Sequence, residues 1–159
     1  MERCPVWTAV LLVLSLALVT GCQTMTHVDP VYGPTNPTPD EAAKAKVKRY
    51  GSVVELLPEK EKQYRELHAA VWPDVVKAIK KAHIQNYSIY VAEINGKKYL
   101  FSYLEYTGDD TAKDFASIGL DKTTKEKWWP ITDACQKRLP GTPEGEQWLG
   151  MEMLMHIDY

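Results

Sequence analysis

Apolar residues fall along this chain in three regimes. Residues 6–19 form an uncharged run, and residues 23–45 hold few apolar positions among proline, threonine, asparagine and glycine. From about residue 48 the apolar positions recur with the periods of strands and helices. Residues 50–57 are β-rich and end at Pro58, which predicts a first strand. Pro58 suits the first position of a helix, and Glu59 and Glu61 sit in its first turn, where the dipole favours acids. That helix is expected to run to about His83, bent or interrupted at Trp72-Pro73, where proline removes a hydrogen bond. Residues 86–94 and 98–106 read as two strands joined by Asn95-Gly96, the strongest short hairpin signal. Residues 109–120 and 123–139 read as helices, the second around Pro130. A loop over 140–145 then leads to a fourth strand over 148–157.

The predicted order is β-α-β-β-α-β, an α+β ferredoxin-like plan with helices on one face of an antiparallel sheet. The predicted strands are apolar on both faces. Tyr99, Phe101 and Tyr103 point one way, and Leu100, Leu104 and Tyr106 the other. In the last strand Met151, Met153 and Met155 oppose Leu154. Helices cover one face only, so a second copy packed sheet against sheet is expected, a homodimer of the dimeric α/β-barrel type.

The leader tells a different story. Arg3 and the amino terminus outweigh Glu2 ahead of the apolar run. The run is short for a membrane span, which needs about 20 residues, but suits a signal peptide. It ends Val19-Thr20-Gly21-Cys22, which resembles the bacterial lipoprotein signal, in which a small residue precedes the acylated cysteine. The chain therefore divides into a signal peptide (1–21), a flexible Pro/Thr-rich tether (22–45) and an α+β domain (46–159). Cys22 is the expected lipid attachment site, anchoring the protein stably on a bilayer. The expected location is the cell envelope, and Gln23 after the cysteine points to the outer membrane in a Gram-negative organism.

Composition narrows the function classes. Among 159 residues, 19 are basic and 21 acidic, a formal charge of −2 that offers no footprint for nucleic acid. Three cysteines build no disulfide scaffold, and after cleavage before Cys22 and acylation of that residue only Cys135 would remain as a thiol. The chain has no phosphate-binding glycine loop, no Gly-x-Ser-x-Gly elbow and no metal-ligand spacing. No cofactor and no metal are expected.

The histidines sort by context. His27 lies in the tether, His83 at a helix end, and His156 on a strand face with Glu152 and Leu154. His68 differs, because Tyr64, His68 and Trp72 are spaced i, i+4, i+8 along one helical face. A histidine flanked by aromatics is a suitable proton donor in an aromatic-walled pocket. Trp128-Trp129 adds two rings that match the apolar faces and polar edges of a pyranose. The bland reading makes these aromatics core and His68 a backbone hydrogen-bonder.

The run Tyr64-Arg65-Glu66-Leu67-His68-Ala69-Ala70-Val71-Trp72-Pro73-Asp74, with Asn86-Tyr87-Ser88-Ile89-Tyr90 and Trp128-Trp129, resembles the L-rhamnose mutarotase family. The likeness covers roughly residues 48–159, including the closing Met153-Leu154-Met155-His156-Ile157-Asp158. The resemblance implies a small ferredoxin-like dimer that interconverts sugar anomers without cofactor or metal. It places the proton donor at His68 and sugar-binding positions at Tyr64, Tyr87, Trp128 and Trp129. Ring opening protonates the ring oxygen while the anomeric hydroxyl loses its proton, and Tyr64, Glu105 and Asp74 are candidates for the partner base. A non-catalytic sugar-binding lipoprotein with the same pocket is the alternative. Family members of this kind are mostly cytoplasmic and untethered, so the exported leader sets this chain apart.

Overall fold

The computed structural model describes residues 28–157. The expected signal peptide, Cys22 and His27 lie outside the described residues. Every regular element among the described residues belongs to a unit that begins at Val31. Its first helix, α1 (Pro39–Lys44), falls within the span read as a tether. Thr38 caps it in a reciprocal box: the Glu41 carboxylate accepts from the Thr38 N–H at 2.8 Å, and the Thr38 hydroxyl accepts from the Glu41 N–H at 3.4 Å.

The sheet is built from β1 (Lys48–Leu56), β2 (Ile84–Ile94), β3 (Lys97–Tyr106), β4 (Gln136–Lys137) and β5 (Leu149–Met151). The spatial order is β2-β3-β1-β4, and β5 also pairs with β1. Every pairing is antiparallel. A helical layer, α2 (Glu61–Ala69) with α3 (Pro73–Lys81), connects β1 to β2, and α4 (Thr111–Ile118) with α5 (Trp129–Asp133) follows β3. This is the expected ferredoxin-like α+β plan, with its fourth strand divided into β4 and β5. At the hairpin, Asn95 (φ 51°) and Gly96 (φ 73°) both take the left-handed backbone that a two-residue turn demands.

One helix breaks where expected, and two other elements depart from the expected lengths. The helix read as reaching His83 with an interruption at Trp72-Pro73 stops at Ala69 and restarts at Pro73, with Trp72 in extended backbone between the halves (φ −61°, ψ 138°). A residue before proline is steered away from helical backbone, which explains the break. The helix expected over 123–139 is a π-helical turn (Thr124–Trp128) and then α5, ending before Gln136 and Lys137 pair with Leu56 and Glu55 of β1. The strand expected over 148–157 stops at Met151. His156 instead donates its backbone N–H to the Thr35 carbonyl at 2.7 Å, so it does not share a strand face with Glu152 and Leu154.

Strand alternation sends Val54, Leu56 and Leu100 to the helical side, where they form a buried cluster with Tyr64 and Cys135. Tyr106 is fully buried in the neighbouring layer, where its hydroxyl donates to Asp114 of α4 at 2.7 Å. Tyr99, Phe101 and Tyr103 point to the opposite face and are half-buried. Around them Tyr90, Ile94 and Met151 are exposed.

Candidate active site

The site grows out of α2. Glu61 at its first turn pairs with Arg65 at 2.8 Å, and Lys62 pairs with Glu66, so its outer face is held by i,i+4 ion pairs. The inner face carries Tyr64, 4% exposed and part of the core, and His68 one turn later. Their rings stack with centroids 4.0 Å apart. His68 Nδ1 donates to the Tyr64 carbonyl at 2.9 Å, since a carbonyl can only accept. That bond fixes the ring and leaves Nε2 as the nitrogen without a partner among the described residues. Burial holds His68 below the usual histidine range, although the carbonyl hydrogen bond opposes it.

Trp128 closes over this pair from the π-helical turn, its ring 5.2 Å from His68 and 5.3 Å from Trp72. The predicted helical line of Tyr64, His68 and Trp72 is therefore broken in the backbone but restored through Trp128. Extra turns of this kind insert one residue and re-aim the side chains that follow. Here the change separates the tryptophan pair: Trp128 is 6% exposed and Trp129 is 37% exposed, yet both border one cavity.

That cavity, about 370 Å³, brings together Tyr64, His68, Tyr87, Trp128 and Trp129, five side chains named from the sequence. Gln136 Nε2 donates to the Tyr64 hydroxyl at 3.4 Å. Burial first, then the field of Tyr87, drives the Tyr64 phenol far above its ordinary range, so it keeps its proton and acts as a donor. Burial raises the Tyr87 phenol as well. An adjoining cavity of about 280 Å³ shares Tyr64 and His68 and is walled by Leu56, Val91 and Leu100. The arrangement has one exchangeable imidazole nitrogen, two protonated phenols and broad aromatic walls. It suits proton transfer on a neutral ligand with an apolar face.

Glu105 and Asp74, the carboxylates considered from the sequence, do not reach this cavity. Glu105 sits on the open sheet face, accepting from Gln85 at 2.9 Å, Asn86 at 2.8 Å and Tyr103 at 3.0 Å. Asp74, in the first turn of α3, accepts from Thr123 at 3.1 Å. His83 pairs loosely with Asp114 at 3.9 Å. Sequence reading missed Asp133 and Gln136, which do line the cavity. Asp133 stands four residues after Trp129, a signal that was present. Gln136 was hidden by the expected helix. Its Oε1 is buried without a partner among the described residues. No group of three or more His, Cys, Asp or Glu among the described residues is placed to hold a metal ion.

Residues 49–157 match the family model described as L-rhamnose mutarotase. The L-rhamnose mutarotase of Lactiplantibacillus plantarum is 29% identical over 114 residues, 69% of this chain and 98% of that protein. That of Sinorhizobium fredii is 32% identical over 98 residues, 61% of this chain and 88% of that protein. A crystal structure of L-rhamnose mutarotase from Formosa agariphila aligns over 70% of this chain and 99% of its own, with 18% identity and a TM-score of 0.47.

The two tryptophans are expected to fail differently. Trp128→Ala empties a buried position in ring contact with His68 and Trp72 and should cost about 3–5 kcal/mol in denaturant unfolding. Trp129→Ala removes a ring exposed to the cavity and should cost less than half as much, while sugar affinity by calorimetry falls.

Proposed function

We propose a function on one premise: this chain belongs to the L-rhamnose mutarotase family, whose model spans residues 49–157. It is a sugar mutarotase, an isomerase that interconverts the α and β anomers of a 6-deoxy sugar, with L-rhamnose the first candidate. The observation that carries the mechanism is the His68 Nδ1 bond to the Tyr64 carbonyl at 2.9 Å. It commits one ring nitrogen to the backbone and leaves Nε2 to exchange a proton with the ligand. His68 then protonates the ring oxygen as the C1–O5 bond opens, and takes that proton back on closure. The depressed pKa makes its protonated form a stronger donor. Trp129 and Tyr87 supply stacking area for the pyranose. The Tyr64 hydroxyl, which accepts from Gln136 Nε2, keeps its own proton to donate to a sugar hydroxyl. A non-catalytic sugar-binding protein is not favoured, because such a pocket has no need of a fixed imidazole.

The working unit is a homodimer joined through the open sheet face. Supporting this are Tyr90, 63% exposed, Ile94, 46%, and Met151, 42%, around the half-buried Tyr99, Phe101 and Tyr103. The chain is held at the cell envelope by lipid on Cys22, a reading supported by Val19-Thr20-Gly21-Cys22 after the uncharged run.

Light scattering of a soluble form starting at Lys46 should give a dimer at micromolar concentration; a monodisperse monomer would remove the face-to-face assembly. Cys22→Ser should abolish incorporation of labelled palmitate and release the protein from membranes. His68→Ala, still folded by circular dichroism, should exchange rhamnose anomers at least about a hundredfold more slowly by saturation-transfer NMR. Exchange at the parent rate would make the histidine structural.

A further inference from the structure

Opening a pyranose moves two protons, and His68 accounts for one. The group that removes the proton from the anomeric hydroxyl has to face the same cavity. Tyr64 cannot serve, because its phenol holds its proton far above neutral pH. Glu105 and Asp74 lie elsewhere, tied to other partners. Two carboxylates border the cavity among the described residues, Asp133 and Glu146.

Several observations single out Asp133. It is the last residue of α5, one turn after Trp129, so a helix fixes its position relative to the aromatic wall. Its carboxylate has no hydrogen-bond or ion-pair partner among the described residues, whereas its backbone carbonyl is engaged by Gln147 Nε2 at 3.5 Å. Its side chain lines the same cavity as Tyr64 and His68. Both residues are exposed, but Glu146 lies outside any helix or strand, beside Gly145 in left-handed backbone (φ 82°), and so lacks that fixed position.

We propose that Asp133 is a second catalytic residue, the carboxylate that exchanges a proton with the anomeric hydroxyl while His68 exchanges one with the ring oxygen. In opening, the Asp133 carboxylate takes the O1 proton and the C1–O1 bond becomes a carbonyl. The C1–O5 pair moves onto O5, which takes the proton from His68 Nε2. Rotation about C1–C2 turns the other carbonyl face toward O5. In closing, His68 recovers its proton from O5 and Asp133 returns one to O1, so no proton is gained or lost. This inference rests on the mutarotase reading.

The productive state carries a proton on each ring nitrogen of His68, Nδ1–H on the Tyr64 carbonyl and Nε2–H toward the ligand, and none on Asp133. Activity should therefore fall below the Asp133 pKa and above that of His68. Burial raises the former and lowers the latter, which narrows the active range from both sides. The titratable groups facing Asp133 across the cavity are Tyr64 and His68 from α2, Tyr87 from β2 and Glu146 from the loop.

The test is anomer exchange of L-rhamnose by saturation-transfer NMR across pH, with the uncatalysed rate subtracted. Asp133→Asn keeps the shape and the backbone contact. It should lower kcat at least about a hundredfold with KM little changed, and remove the low-pH fall in the residual rate. Glu146→Gln should leave both features in place. Parent-like kcat in Asp133→Asn, or an unaltered low-pH limb, would overturn the proposal, as would loss of activity in Glu146→Gln in its place. A parent protein that exchanges anomers of no 6-deoxy sugar would instead overturn the mutarotase reading itself.

Discussion

Burial of Val54, Leu56 and Leu100 beneath Tyr64 and Cys135 is the constraint on which the rest of the structure depends. Each such side chain contributes about 1.5–3 kcal/mol when fully withdrawn from water, so the central strands must be covered on that side. Tyr64 supplies the cover from α2, and it is also a wall of the candidate site's cavity. Core and site therefore share a residue. A change that loosened the packing of α2 on β1 would displace the carbonyl that holds His68.

Proline and an irregular turn shape the cavity as much as the core does. Pro73 ends the first helical segment early, which frees Trp72 to meet Trp128 edge to face rather than continue along α2. Pro130 is tolerated as an early residue of α5, where its missing N–H has no partner to lose. The π-helical turn before it sets the two adjacent tryptophans apart, one packed against His68 and one facing the open volume. Rigid rings around a fixed imidazole suit a reaction that needs little more than two positioned proton-transfer groups. Mutarotation is such a reaction, since it breaks and remakes one C–O bond within the same molecule.

The two faces of the sheet serve separate ends. The helical face makes the core and the site. The other gathers tyrosines and a phenylalanine around the polar cluster of Arg49, Glu105, Gln85 and Asn86 at one end of β2 and β3. The bulge that shifts register between Gln85 and Ser88 brings Asn86 and Gln85 to the same carboxylate. That arrangement uses Glu105 structurally and removes it from the chemistry for which the sequence had made it a candidate.

Local periodicity was enough to determine the order of elements, the Asn95-Gly96 hairpin, the two-faced sheet and the Tyr64–His68 pair, because each depends on residues within a few positions of one another. The aromatic composition of the site was legible for the same reason. Tertiary structure alone decided what the residues after Trp129 do. The 123–139 stretch is helical by propensity, yet Gln136 and Lys137 leave the helix because the free edge of β1 offers backbone hydrogen bonds that a lone helical end cannot match. That diversion buries Gln136 beside Tyr64 and ends α5 at Asp133, on the rim of the cavity. The strand beyond Met151 was lost by the same logic, its backbone meeting Thr35 rather than β1. Pairing between segments some eighty residues apart leaves no periodic trace in either one, so the sequence determined one half of the site and only the folded sheet could place the other.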